Sequence, residues 1–128
     1  MIAEIINQWE INKSKLENWF RNNKQSEYDE YEKIVKAIFT YVIDGYDTSE
    51  IHVIDDGDYQ GTKLFLIHKE TYQPSREDYL ITDTYYGSCS GCDTLQSINE
   101  YDDVIPNEEQ IKKYMTLALH LVQKMKVI

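Results

Sequence analysis

Residues 51–68 read Ile51-His52-Val53-Ile54-Asp55-Asp56-Gly57-Asp58-Tyr59-Gln60-Gly61-Thr62-Lys63-Leu64-Phe65-Leu66-Ile67-His68. Two apolar runs flank an acidic string that contains a glycine. β-Branched residues dominate 51–54, which suits an extended chain. Asp55-Asp56-Gly57-Asp58 carries the Asp-Gly signal of a tight reversal. The run 63–68 is apolar on both of its alternating faces, as a strand with neighbours on both sides would be. These features predict a β-hairpin. After a loop with Pro74, the alternation over 79–86 predicts a third strand, so that 47–106 forms an acidic β-meander.

Helical periodicity flanks the meander. Ile2, Ile5, Ile6, Trp9, Leu16, Trp19 and Phe20 recur at steps of three and four through 1–23, and Asn12 or Lys13 interrupts the stripe. Residues 22–25 read as a short link. Ser26 and Asp29 resemble a capping box ahead of a second helix with Tyr31, Ile34, Val35, Ile38, Tyr41 and Val42 inward. Gly45 is placed to stop that helix, and a pair so closely linked packs antiparallel within 1–46. In 107–128, Asn107 is the N-cap, with Glu108 and Glu109 in the first turn. Ile111, Tyr114, Met115, Ala118, Leu121, Val122 and Met125 face inward, with Lys124 and Lys126 near the negative end. The expectation is one two-layer α+β domain over 1–128 in αα-βββ-α order. Its three-stranded, mostly antiparallel sheet carries the helices on one face.

Charge is distributed unevenly. The 128 residues carry a net charge of −10. Between Asp44 and Asp103, 14 acids face Lys63, Lys69 and Arg76, a balance of −11, and the rest of the chain nets +1. Such a field repels nucleic acid and anionic membranes and attracts basic protein surfaces. A hydrophobic fraction of 41% argues against disorder. No apolar run approaches a membrane span, the start lacks a secretion signal, and two cysteines suit a reducing compartment, so a cytoplasmic location is expected.

The most distinctive loop is Tyr85-Tyr86-Gly87-Ser88-Cys89-Ser90-Gly91-Cys92-Asp93-Thr94-Leu95. Three readings compete for it. One is a structural turn whose glycines supply positive φ. Another is a metal half-site of Cys89, Cys92 and Asp93, short of its further ligands. The third is a redox dithiol, disfavoured by Asp93 beside the cysteines. The leading expectation is no metal and no cofactor.

The stretch from Tyr86 to Leu95 is similar to a motif in small proteins encoded by phages and prophages of Gram-positive bacteria. Gly57-Asp58-Tyr59-Gln60-Gly61-Thr62-Lys63-Leu64 and Leu117-Ala118-Leu119-His120-Leu121-Val122-Gln123-Lys124-Met125 fit the same resemblance, which leaves the first two helices outside it. It implies a phage context and carries over no activity or site residue.

Other motifs fall short of chemistry. Asp56-Gly57-Asp58-Tyr59-Gln60-Gly61 opens like a calcium loop, but Ile67 stands where the bidentate Glu belongs. No acid stands two residues before a lysine, as an Asp…Glu-x-Lys nuclease requires. There is no Gly-x-Ser-x-Gly elbow and no phosphate loop. His52, His68 and His120 read as surface or packing residues. Seven of the 11 tyrosines lie in the acidic stretch: Tyr46, Tyr59, Tyr72, Tyr79, Tyr85, Tyr86 and Tyr101. Tyrosine gives amphipathic contact area at little entropic cost, so carboxylates interleaved with its rings suit protein recognition. The expected partner is therefore a host protein with a basic surface, bound stoichiometrically through Asp55, Asp56, Asp58, Tyr59, Tyr85, Tyr86, Asp93, Asp102 and Asp103. The alternative is a metal- or small-molecule-binding module at Cys89 and Cys92.

Overall fold

The computed structural model describes residues 2–23, 31–57, 61–86 and 107–127. Helix α1 spans Ile2–Asn22 without a break. Ile5, Trp9, Leu16 and Phe20 form its buried stripe, and Asn12 fills the slot between Trp9 and Leu16. That polar residue, an apparent interruption in sequence, donates its Nδ2 to the Val42 carbonyl at 3.0 Å. Val42 lies just beyond α2 (Tyr31–Tyr41), whose last carbonyls have no partner within their own helix. The Asp44 amide donates to Gln8 Oε1 at 3.0 Å, a second tie between the start of α1 and the end of α2. The two helices are thus antiparallel, as expected.

Two members of the expected stripes face solvent. Ile6 is 55% exposed and Tyr41 40% exposed. Ile6 lies about 100° round the helix from Ile5, outside the strip that α2 and the C-terminal helix cover. Trp19 is partly buried, edge-on to Phe20 at 5.1 Å. Helix α2 buries Tyr31, Ile34, Val35, Ala37, Ile38 and Phe39, because α1 covers one side and the sheet the other. Gly45, with φ of +85°, turns the chain out of it.

Helix α3 spans Glu108–Gln123. Asn107 Oδ1 accepts the Gln110 amide at 2.8 Å, and Gln110 Oε1 accepts the Asn107 amide at 3.0 Å, a reciprocal cap. The stripe expected for this helix is buried except for half-buried Met115, and Leu117 joins it. Phe20 stacks on Tyr114 at 5.1 Å, and burial pushes the Tyr114 hydroxyl up to about 12. Arg21 clamps Glu108 with Nε–Oε1 at 3.1 Å and Nη2–Oε2 at 2.9 Å, joining the end of α1 to the start of α3.

The strands are β1 (His52–Asp55), β2 (Gly61–His68), β3 (Tyr79–Tyr86) and β4 (Lys126–Val127). They form one antiparallel sheet in the order β1-β2-β3-β4, with β2 internal as its two-faced apolarity predicts. The fourth strand corrects the expectation of three strands and of a wholly helical 107–128. Met125 drops into the core after Lys124 ends the helix, and Lys126 and Val127 then pair with Ile81 and Leu80. Two residues are too few to show an alternation.

Phe65, Ile67 and Leu80 meet Val35, Phe39 and Met125 between sheet and helices. Buried Thr82 donates its hydroxyl to the Leu121 carbonyl at 2.7 Å, fastening β3 to α3. Among the described residues no helix is long and apolar enough to cross a membrane.

Candidate functional site

Alternation sends every second strand residue away from the helices. The register then fixes which side chains share the face turned away from the described helices, called the open face below. His52, Leu66, Ile81 and Lys126 form one cross-strand row; Ile54, Leu64 and Asp83 form the next; Thr62 and Tyr85 form the last. Ile54 is 56% exposed and Tyr85 52%, while Leu64, Leu66 and Ile81 are half-buried. This is a contiguous apolar patch ending in an aromatic ring. Asp83 stands within it, 3.7 Å from Lys124.

The acidic end is built by the β1–β2 turn. Asp55 and Asp56 are both exposed. Their carboxylates also close the turn: Asp55 Oδ1 accepts the Gly57 amide at 3.0 Å, and Asp56 Oδ1 accepts the Thr62 amide at 2.7 Å. Asp56 accordingly serves a hairpin rather than a calcium loop. Asp55 pairs with Lys63, which pairs with Thr84, so Asp55 and Tyr85 occupy the same end of the sheet, about 10 Å apart across two strand spacings.

Of the residues expected to bind a partner, Asp55, Asp56 and Tyr85 thus lie at one end of the sheet, but Asp55 belongs to the row of buried Lys63 and Thr84, so its side chain leaves the face opposite to that of Tyr85. Tyr86 lies in β3 opposite Gly61, with its side chain outside the described set. Asp58, Tyr59, Cys89, Cys92, Asp93, Asp102 and Asp103 lie outside the described residues, as do Ser26 and Asp29. The other tyrosines divide by role. Tyr46 is buried on Phe39 at 5.1 Å, Tyr79 meets His68 edge-on at 5.5 Å, and Tyr72 is 89% exposed.

Sequence reasoning did not single out Ile54, Leu64, Leu66 and Ile81. The signal was present in the apolar character of both faces of β2. A strand apolar on both faces loses both from water only when both are covered, and the described helices all lie on one. No family model, curated protein or solved structure matches the chain.

Proposed function

We propose that this chain is a phage or prophage accessory protein that acts by stoichiometric binding in the cytoplasm. Its partner is a host protein with a basic surface, of the kind that handles nucleic acid or defends the cell. The observation that carries the proposal is the sheet face turned away from the described helices, where Ile54, Leu64, Leu66, Ile81 and Tyr85 run toward the exposed Asp56, which is bonded to Thr62 beside Tyr85. Interfaces combine an apolar centre, an aromatic anchor and a polar rim, and exposed apolar patches commonly mark them. The charge of −11 over 44–103 supplies the complement to a basic surface and steers association. The resemblance of 86–95 to phage-encoded proteins supports the context.

The test has two stages. Capture from a host lysate with mass spectrometry supplies a candidate, and titration of that purified partner decides. Tyr85→Ala and Ile54→Ala should each weaken binding about tenfold or more while the Tm of the free protein stays unchanged. Raising salt from about 50 to about 500 mM should weaken it further. Binding indifferent to both variants and to salt overturns the proposal. So does self-association of the free chain that Tyr85→Ala abolishes, since a second copy would then occupy the face.

A further inference from the structure

Beyond the far end of β2, where the sheet gives way to the segment leaving α2, three metal-ligating side chains converge. Asp47 and Glu50 lie in the turn before β1, and His68 ends β2. One donor atom from each lies within 4.8 Å of both others. The backbone fixes the arrangement. The Asp47 amide donates to the His68 carbonyl at 2.9 Å, the Glu70 amide donates to the Gly45 carbonyl at 2.9 Å, and Tyr46 bridges to Lys69 between them. The His68 side chain is only 7% exposed.

The imidazole is held in one orientation. Its Nδ1 lies 2.8 Å from the Lys69 carbonyl, an acceptor only, so Nδ1 carries the proton. In the neutral ring, Nε2 then presents a lone pair. That nitrogen faces Glu50 Oε2 at 3.1 Å, with the Asp47 carboxylate beside it. Two carboxylates and an imidazole lone pair repel one another unless a cation stands among them. A proton on Nε2 satisfies one carboxylate, whereas a divalent ion satisfies all three donors.

The geometry points to a divalent transition-metal site formed by His68 Nε2 and the carboxylates of Glu50 and Asp47. A backbone carbonyl on Nδ1 is the usual outer partner that sets the tautomer of a metal-binding histidine. Metal–donor bonds of about 2.0–2.2 Å place tetrahedral donors about 3.3–3.6 Å apart, close to the 3.1 Å found here between Nε2 and Oε2. Glu50 is 62% exposed, so its side chain has room to adjust as an ion enters. Asp47 is ordered from within the turn, its Oδ1 accepting both the amide and the hydroxyl of Ser49. Mixed nitrogen and oxygen donors suit zinc and its first-row neighbours. Three protein ligands leave the remaining positions open to water or to a substrate oxygen.

Zinc titrated calorimetrically into the metal-free full chain near neutral pH tests the site. The expected result is one ion per chain at His68, retained in the Cys89→Ser/Cys92→Ser double variant. Glu50→Gln, at an exposed position, should weaken binding at least about tenfold, the effect that even an outer partner has on such a site, with circular dichroism showing that the metal-free variant is folded. Nitrogen NMR of the wild-type protein gives a readout that needs no substitution: zinc should shift His68 Nε2 and leave Nδ1 protonated. Three results overturn the assignment. They are absence of zinc binding, an Nε2 resonance that stays that of a protonated ring in excess zinc, and binding lost with the cysteines but intact in Glu50→Gln.

Discussion

Gly61 shows how closely the β1–β2 turn is built. A Cβ there would sit 2.5 Å from Asp56 Oδ1 and 3.0 Å from the Gly57 amide nitrogen. The Asp56 carboxylate can move away only by giving up its bond to the Thr62 amide. Gly61→Ala should therefore lower the Tm, and so should Asp56→Ala. The double variant should cost less than the sum of the two, because each removes the same hydrogen bond. Additive losses in a thermal double-mutant cycle would mean that the strain at 61 is relieved elsewhere. Thr82 is the corresponding point inside the molecule. Thr82→Val keeps the shape but leaves the Leu121 carbonyl buried without its hydroxyl donor, a loss of about 1–3 kcal/mol by denaturant unfolding. A change near zero would show that another donor reaches that carbonyl.

At the level of elements, α1 is held by apolar anchors and by its polar ends. Phe20 is fully buried against Tyr114, so Phe20→Ala should cost about 3–5 kcal/mol, and Trp19→Ala less because that ring is only partly covered. Equal costs in chemical denaturation would mean that Trp19 carries as much of the contact as Phe20. The Arg21 clamp adds a pH dependence with a definite sign. Arg21 stays charged throughout, and its hydrogen bond holds the Glu108 carboxyl below its ordinary 4.5. The clamp's contribution is therefore complete above pH 4.5 and lost as pH falls through the lower folded value. The Tm gap between wild type and Glu108→Gln should be present at pH 7 and close below that value. Local patterns explain why these helices were legible: the stripe of α2, the stop at Gly45 and the cap at Asn107 are each written within a few neighbouring residues. Strands β2 and β3 were legible for the same reason. What was not legible needs contacts between distant residues. Asn12 reads as a break until Val42 is beside it, β4 is two residues long, and His68 reads as packing until the turn of Asp47 and Glu50 lies against it.

For the molecule as a whole, the placement of charge sets two opposite salt responses. The stretch 44–103, with its balance of −11, contains β1, β2 and β3, whereas the helical parts are close to neutral. Like charges concentrated in one stretch of the chain repel, and that repulsion is stronger in the folded chain than in the expanded one, so it opposes folding. Salt screens it: the Debye length falls from about 10 Å at 0.1 M to about 3 Å at 1 M. Raising sodium chloride from about 50 to about 500 mM should consequently raise the Tm of the free protein, although the exposed ion pairs of Arg21 weaken over the same range. The same change should weaken attachment to a basic partner, since the acids that repel one another are those that attract it. A thermal melt and a binding titration across one salt series therefore separate fold from function. A Tm that falls with salt would show that attractive pairs outweigh the repulsion. The acidic stretch would then be internally neutralised and would have little charge left to draw a partner toward the open face.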